Sequence, residues 1–103
     1  MSSKPKDPPP EPPDGLTEAQ RQLWCALAAE HTDIFTATDV VTLRAVVDVA
    51  GRLAEVSARL DLDGLIVEGS MKQPRANPLI DAETKLRGEL SQRLREWRPY
   101  ERW

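Results

Sequence analysis

Acids outnumber bases in this 103-residue chain, 17 Asp and Glu against 14 Lys and Arg, but most of the acids have a local base or cap role, so the residues left for other chemistry are few and include several bases. Arg95 and Arg98 have no acid four residues before them, and Lys72 and Arg75 stand outside any helical run that would supply one. Helical i,i+4 partners partly satisfy a charge, so these four are the bases most easily recruited by a phosphate. Lys85, with Asp81 four residues earlier, ranks behind them. The competing reading is that the first four merely keep the surface soluble. Cys25 and His31 are the only residues of their types. A lone thiol among apolar neighbours, with nothing to lower its pKa, reads as a small core residue. The histidine stands where a helix should end, and an imidazole there can cover free carbonyls. With no second ligand a metal site is not expected, nor is any cofactor. Asp61 and Asp63 lack the rest of a calcium loop and read as part of a helix end. There is no phosphate-binding GxxxxGK[ST], no GxGxxG, no CxxC and no nucleophile–histidine–acid set. An enzyme is therefore not expected, and binding or assembly is.

Composition agrees. The formal net charge is −3, but residues 72–103 carry eight bases against five acids, and residues 1–71 six against twelve. Such asymmetry permits nucleic-acid contact at one end. One cysteine precludes an intrachain disulfide and suits a reducing cytoplasm. No apolar run is long enough for a bilayer, so no membrane partner is expected.

The element expected to organise the rest is a long helix over 36–60. Thr36 and Asp39 fit its N-terminal cap, and Phe35 can staple to Val40. Arg44, Asp48, Arg52, Glu55 and Arg59 follow at steps of three or four, a single charged stripe on an otherwise apolar helix. Asp48–Arg52 and Glu55–Arg59 are expected as ion pairs. A helix so apolar suggests a second face, through Val41, Ala45, Val49 and Val56, for a neighbouring copy; the alternative is that its two flanking helices cover it. Gly51 within it is either a tolerated defect, at about 1 kcal/mol relative to Ala, or a close helix crossing. Gly64 suits a left-handed C-cap.

Before it, residues 1–15 are rich in proline and poor in aliphatics, which predicts a disordered or polyproline arm; a proline-motif ligand finds no other support. Thr17 and Gln20 fit a capping box opening a first helix whose apolar side is Leu23, Trp24, Leu27, Ala28 and His31. After the long helix, Leu65–Glu68 and the return after Gly69-Ser70 read as a β-hairpin at about 65–75, ended by Pro74. Two strands alone are marginal in water, so the hairpin should lie on the helices or join a neighbour's strands. Asn77 as N-cap and Pro78 at the first position open a third helix. Its apolar face is Leu79, Leu86, Leu90, Leu94 and Trp97, and Asp81–Lys85, Glu83–Arg87 and Glu89–Arg93 are expected pairs. Pro99 stops it. The expectation is one all-α domain over 16–98 with one small hairpin, three main helices and a short tail at 99–103.

The order Gly15-Leu16-Thr17-Glu18-Ala19 with Trp24, Phe35-Thr36-Ala37-Thr38-Asp39, Asp63-Gly64-Leu65, a hairpin, and Asn77-Pro78-Leu79 before a basic last helix resembles the P27 family of phage terminase small subunits. The likeness covers Gly15 to about Trp97; Arg98–Trp103 departs from the Gly-Leu-Thr-Pro-like segment with which family members often continue. The resemblance implies a non-catalytic DNA-packaging subunit in the cytoplasm of an infected bacterium. It would form a ring with copies of itself, bind viral duplex DNA and present it to the large ATPase and nuclease subunit. On that reading Lys72, Arg75, Arg95 and Arg98, then Lys85, meet DNA, and Trp97, Tyr100 and Trp103 dock the large subunit. The rival expectation is a helical adaptor or scaffold that touches no nucleic acid.

Overall fold

A computed structural model describes residues 10–30, 35–69 and 73–97. Along the chain come α1 (Glu18–Glu30), α2 (Ala37–Asp63), β1 (Ile66–Glu68), β2 (Pro74–Ala76) and α3 (Leu79–Trp97). The expected class is met: three helices and one antiparallel hairpin.

Each helix starts where local hydrogen-bonding chemistry starts it. The Thr17 hydroxyl accepts from the Gln20 amide at 3.2 Å, and the Gln20 side chain accepts from the Thr17 amide at 2.9 Å. Thr36 and Asp39 repeat the exchange at 3.1 and 2.9 Å. Both are reciprocal capping boxes, which satisfy amides that have no partner inside the helix. α2 runs three residues beyond the expected Leu60, to Asp63. It is then turned aside by Gly64, whose amide still donates to the Leu60 carbonyl at 2.8 Å. Gly64 has φ 82° and ψ 169°, a region open essentially to glycine alone. It is not the left-handed helical cap expected, because the chain must leave the helix already extended to enter β1.

α2 spans 27 residues, about 40 Å at 1.5 Å per residue, and the other two helices pack on it. Trp24, Leu27 and Ala28 from α1, Leu43, Val46 and Val47 from α2, and Trp97 from α3 form one buried cluster. Phe35 lies against it with its ring 5.9 Å from that of Trp97 and tilted by 37°, a favourable aromatic arrangement. The end of α3 thus meets the beginning of α2. At the opposite end the Ser57 hydroxyl donates to Glu83 at 2.6 Å, near the start of α3. α2 and α3 are therefore an antiparallel pair, and the β-hairpin is inserted at their turn.

α1 crosses α2 at Gly51. A Cβ at that position would run into the Gln20 amide, and that amide nitrogen donates to the Val47 carbonyl at 2.9 Å. Of the two readings of Gly51, the close crossing is the one observed. Gln20 serves twice, closing the cap with its oxygen and fastening α1 to α2 with its nitrogen. Gly51→Ala should therefore gain little or lose stability alone, because it displaces Gln20. In a Gln20→Ala background the same change should stabilise by about 1 kcal/mol, the ordinary propensity gain. A double-mutant cycle by chemical denaturation reads the coupling.

Several local expectations are corrected. Cys25 is exposed; with Trp24, Leu27 and Ala28 turned inward, a residue one step of 100° past Trp24 faces water. The first proline segment is not arm throughout: the Pro10 carbonyl accepts from Trp24 Nε1 at 2.9 Å, and Pro10, Pro12 and Pro13 are half-buried. A buried indole needs an acceptor, and this stretch supplies it. Residues 1–9 and His31 lie outside the described residues. The charged stripe of α2 is mostly exposed as expected, but its pairs are Arg44–Asp48 at 3.0 Å and Arg59–Asp63 at 2.8 Å, not Asp48–Arg52 and Glu55–Arg59.

The hairpin also differs. Its register is Ile66↔Ala76, Val67↔Arg75 and Glu68↔Pro74, so Pro74 begins the return strand rather than ending it. Asn77, 4% exposed, ties this junction. Its amide donates to the Leu65 carbonyl at 2.8 Å. Its side chain donates to the Gly64 carbonyl at 2.9 Å and accepts from the Leu79 amide at 3.0 Å. One residue thus joins the end of α2, the base of the hairpin and the first turn of α3.

Candidate nucleic-acid interface

Arg75, Lys85 and Arg95 are the expected phosphate-binding residues that fall within the described part of the chain, and all three are exposed. Lys72 and Arg98 lie outside it. Arg75 stands opposite Val67 in the hairpin, and its aliphatic stem passes over Gly69, close enough that a Cβ there would lie 3.2 Å from Arg75 Cδ. The stem of Arg75 thus lies close to Gly69. Asn77 links the base of the hairpin to the first turn of α3 and so joins the element that carries Arg75 to the one that carries the other bases.

Along α3 the bases divide by partner. Arg87 meets Glu83 at 3.4 Å. Arg93 meets Glu96 at 3.0 Å and Glu89 at 3.7 Å. Its hydrogen bond to Glu96, then the Glu96 charge, raises its pKa above the usual arginine value, with Glu89 adding to both effects. Arg95 Nη2 donates to the neutral Gln92 side chain at 3.1 Å. The expected Asp81–Lys85 pair does not form, and Lys85 has no ion-pair partner among the described residues. Lys85 therefore rises to the level of Arg75 as a candidate. Between Lys85 and Arg95 the same side of the helix carries Gly88 and Gln92, both exposed, with open space around Gly88. The two charges are ten residues apart, about 15 Å along the axis.

The residues expected to meet a neighbouring copy are scattered by the fold. Val41 is 68% exposed. Ala45 and Val56 are half-buried, and Val49 is 3% exposed. Val49 is a correction: packing within the protomer already covers it. Trp97 is a second correction. At 7% exposed and against Phe35 it belongs to the core, so its ring is not a docking anchor. Tyr100 and Trp103 lie outside the described residues. No family model, curated protein or solved structure matches the chain.

Sequence reasoning missed the exposed apolar side chains at the far end of α2. Leu62 is 81% exposed, Leu65 65% and Ile66 64%. They straddle a helix end, a turn and a strand, so no single periodicity gathers them. Beside the α1 crossing, Ala19, Ala50, Gly51, Ala54 and Ala58, with Thr17, Gln20 and Glu55, line an open groove of about 290 Å³. Among the described residues no helix is long and apolar enough to cross a membrane.

Proposed function

We propose that this chain is the small, non-catalytic subunit of a viral DNA-packaging terminase: a ring-forming helical protomer that binds duplex DNA through phosphates and hands it to the ATPase subunit in the host cytoplasm. The observation that carries the reading is where the resemblance residues sit. Thr17 caps α1, Thr36 and Asp39 cap α2, Gly64 takes the positive φ that starts the hairpin, and Asn77 clasps hairpin to α3. The residues on which the resemblance rests are thus those that set the junctions of this fold.

The chemistry follows from exposed bases and repetition. Arg75, Lys85 and Arg95, with Lys72 and Arg98 beyond the described residues, make a modest basic set per protomer. Each phosphate neutralised releases counterions and adds to a salt-sensitive affinity. Copies arranged in a ring convert weak sites into avid binding. Tyr100 and Trp103 stay as the proposed contacts to the large subunit; Trp97 leaves that set.

A second reading has an observation of its own. α3 carries four acids and four bases, a balance that also suits an adaptor meeting protein alone. Titration with duplex DNA across a salt series separates the two. The terminase reading predicts binding whose logarithm falls linearly with the logarithm of salt. Replacing Lys72, Arg75, Lys85, Arg95 and Arg98 by alanine should weaken binding at least tenfold and flatten that slope by about 0.9 for each contact removed. Unchanged affinity and slope reject the assignment; no binding by the parent chain favours the adaptor.

A further inference from the structure

The hairpin has two outer edges, and the structure leaves them unequal. The Gly69 amide donates to the Gln73 carbonyl at 2.6 Å and the Asn77 amide to the Leu65 carbonyl at 2.8 Å. With the register Val67↔Arg75 midway between them, the antiparallel alternation makes 65–77, 67–75 and 69–73 the hydrogen-bonded pairs. Residues 66, 68, 74 and 76 therefore turn their amides and carbonyls outward. On β2 the first outward position is Pro74, which has no amide to offer. On β1 the outward positions are Ile66 and Glu68, both exposed, and no hydrogen bond beyond the hairpin's own ladder engages their backbone among the described residues. Leu65 and Ile66, at the start of this strand, and Leu62, near the end of α2, are exposed large apolar side chains.

We propose that β1 pairs antiparallel with β1 of a second copy, giving a four-stranded sheet in the order β2-β1-β1′-β2′ about a two-fold axis at Val67. Two general rules and one observation select this occupant. Open edge strands are templates for strand addition, and a two-stranded sheet is marginal alone. The edge is self-complementary: with Val67 on the axis, Ile66 faces Glu68 of the other copy, and each such pair exchanges both backbone bonds using only outward groups. Shifting the axis to Ile66 would call on Gly64, whose amide and carbonyl are already held by Leu60 and Asn77. In the chosen register Leu65 lies over Gly69 of the other copy, a large side chain on a position without one. Pro74 stops the sheet at two copies, because β2 does not offer a full edge for a head-to-tail chain of hairpins. The contact is isologous, so it adds a two-fold pairing to any ring and predicts an even number of protomers.

Hydrogen exchange on the unmodified chain tests this directly. Ile66 and Glu68 amides should be protected to the degree of Val67 and Gly69, and should lose that protection on dilution. Exchange of Ile66 and Glu68 at the rate of open amides at every concentration overturns the proposal. Ile66→Pro removes one outward amide and none of the hairpin's own bonds, and Pro74 already occupies an equivalent outward position in the same hairpin. The mass by light scattering should halve for Ile66→Pro and stay unchanged for Ala76→Pro on the opposite edge. Equal masses for Ile66→Pro and the parent chain overturn it as well.

Discussion

Trp24→Ala should lower unfolding stability by about 3–5 kcal/mol, the usual cost of removing a large aromatic from a core. The indole is 1% exposed and sits among side chains of all three helices, so the cavity has no single neighbour able to collapse into it. A domain of this size is held by roughly 5–15 kcal/mol in total, so the variant should be marginal at room temperature in a urea titration. Trp24→Phe separates two contributions. It keeps most of the ring volume but removes the Nε1 donor that holds the Pro10 carbonyl. It should cost about 1 kcal/mol, the usual worth of one hydrogen bond, because the half-buried Pro10 carbonyl can turn to water, and should raise proteolysis at residues 10–15. Stability within 0.5 kcal/mol of the parent for Trp24→Ala, roughly the scatter of surface changes, contradicts the placement of this core.

Asn77→Ala is the second large effect. It removes the side-chain bonds to the Gly64 carbonyl and the Leu79 amide at a site only 4% exposed. A lost N-cap costs about 1 kcal/mol, and an orphaned buried carbonyl adds about 1–3 kcal/mol. The expected sum of about 2–4 kcal/mol lowers the melting temperature by roughly 10–25 °C for a domain of this length. Asn77→Asp keeps the acceptor for Leu79 but sets a carboxylate oxygen against the Gly64 carbonyl. It should be nearly as damaging at neutral pH and recover in part in acid, where the protonated carboxyl can donate. Differential scanning calorimetry at two pH values reads both variants. If Asn77→Asp melts like the parent chain at neutral pH, the clasp is not made as described.

These residues show what a sequence reveals and what it withholds. Caps were legible because their chemistry closes within three residues: Thr17 with Gln20, Thr36 with Asp39, Asn77 with Leu79. The apolar faces of α1 and α3 were legible from spacing. Ion pairs were not, because each partner had a choice. Asp48 lies four residues from both Arg44 and Arg52, and Arg59 four from both Glu55 and Asp63; rotamers and neighbours decide between them. Gln20 was visible as a cap, but its reach to Val47 depends on how closely α1 crosses Gly51. Pro74 read as a stop because a missing amide usually ends a strand. Only the register shows that its amide position points away from β1.

The candidate interface divides in the same way. That Arg75, Lys85 and Arg95 are bases was plain, and their exposure agrees with a surface role. That Lys85 is released from Asp81, while Arg93 is held by two carboxylates, follows from side-chain geometry. Val49 and Trp97 have the composition of an interface and the position of a core, since apolar side chains at helical spacing serve either purpose. Much of the apolar surface of α2 is covered by its own flanking helices, and what stays exposed gathers at its two ends. Val41 and Leu62 are 21 residues apart, about 31 Å along the axis. The proposed assembly would have to draw on these exposed ends rather than on the middle of α2.

Assembly is the claim on which the proposed packaging role depends, because on that reading one protomer's few bases would bind DNA only weakly. Multi-angle light scattering on the full chain, with and without duplex DNA, tests it most directly. The account predicts a mass several times the 11.5 kDa of one chain before DNA is added, and a stoichiometric shift to a single DNA-bound species afterwards. A mass of one chain at every concentration, unchanged by DNA, contradicts it.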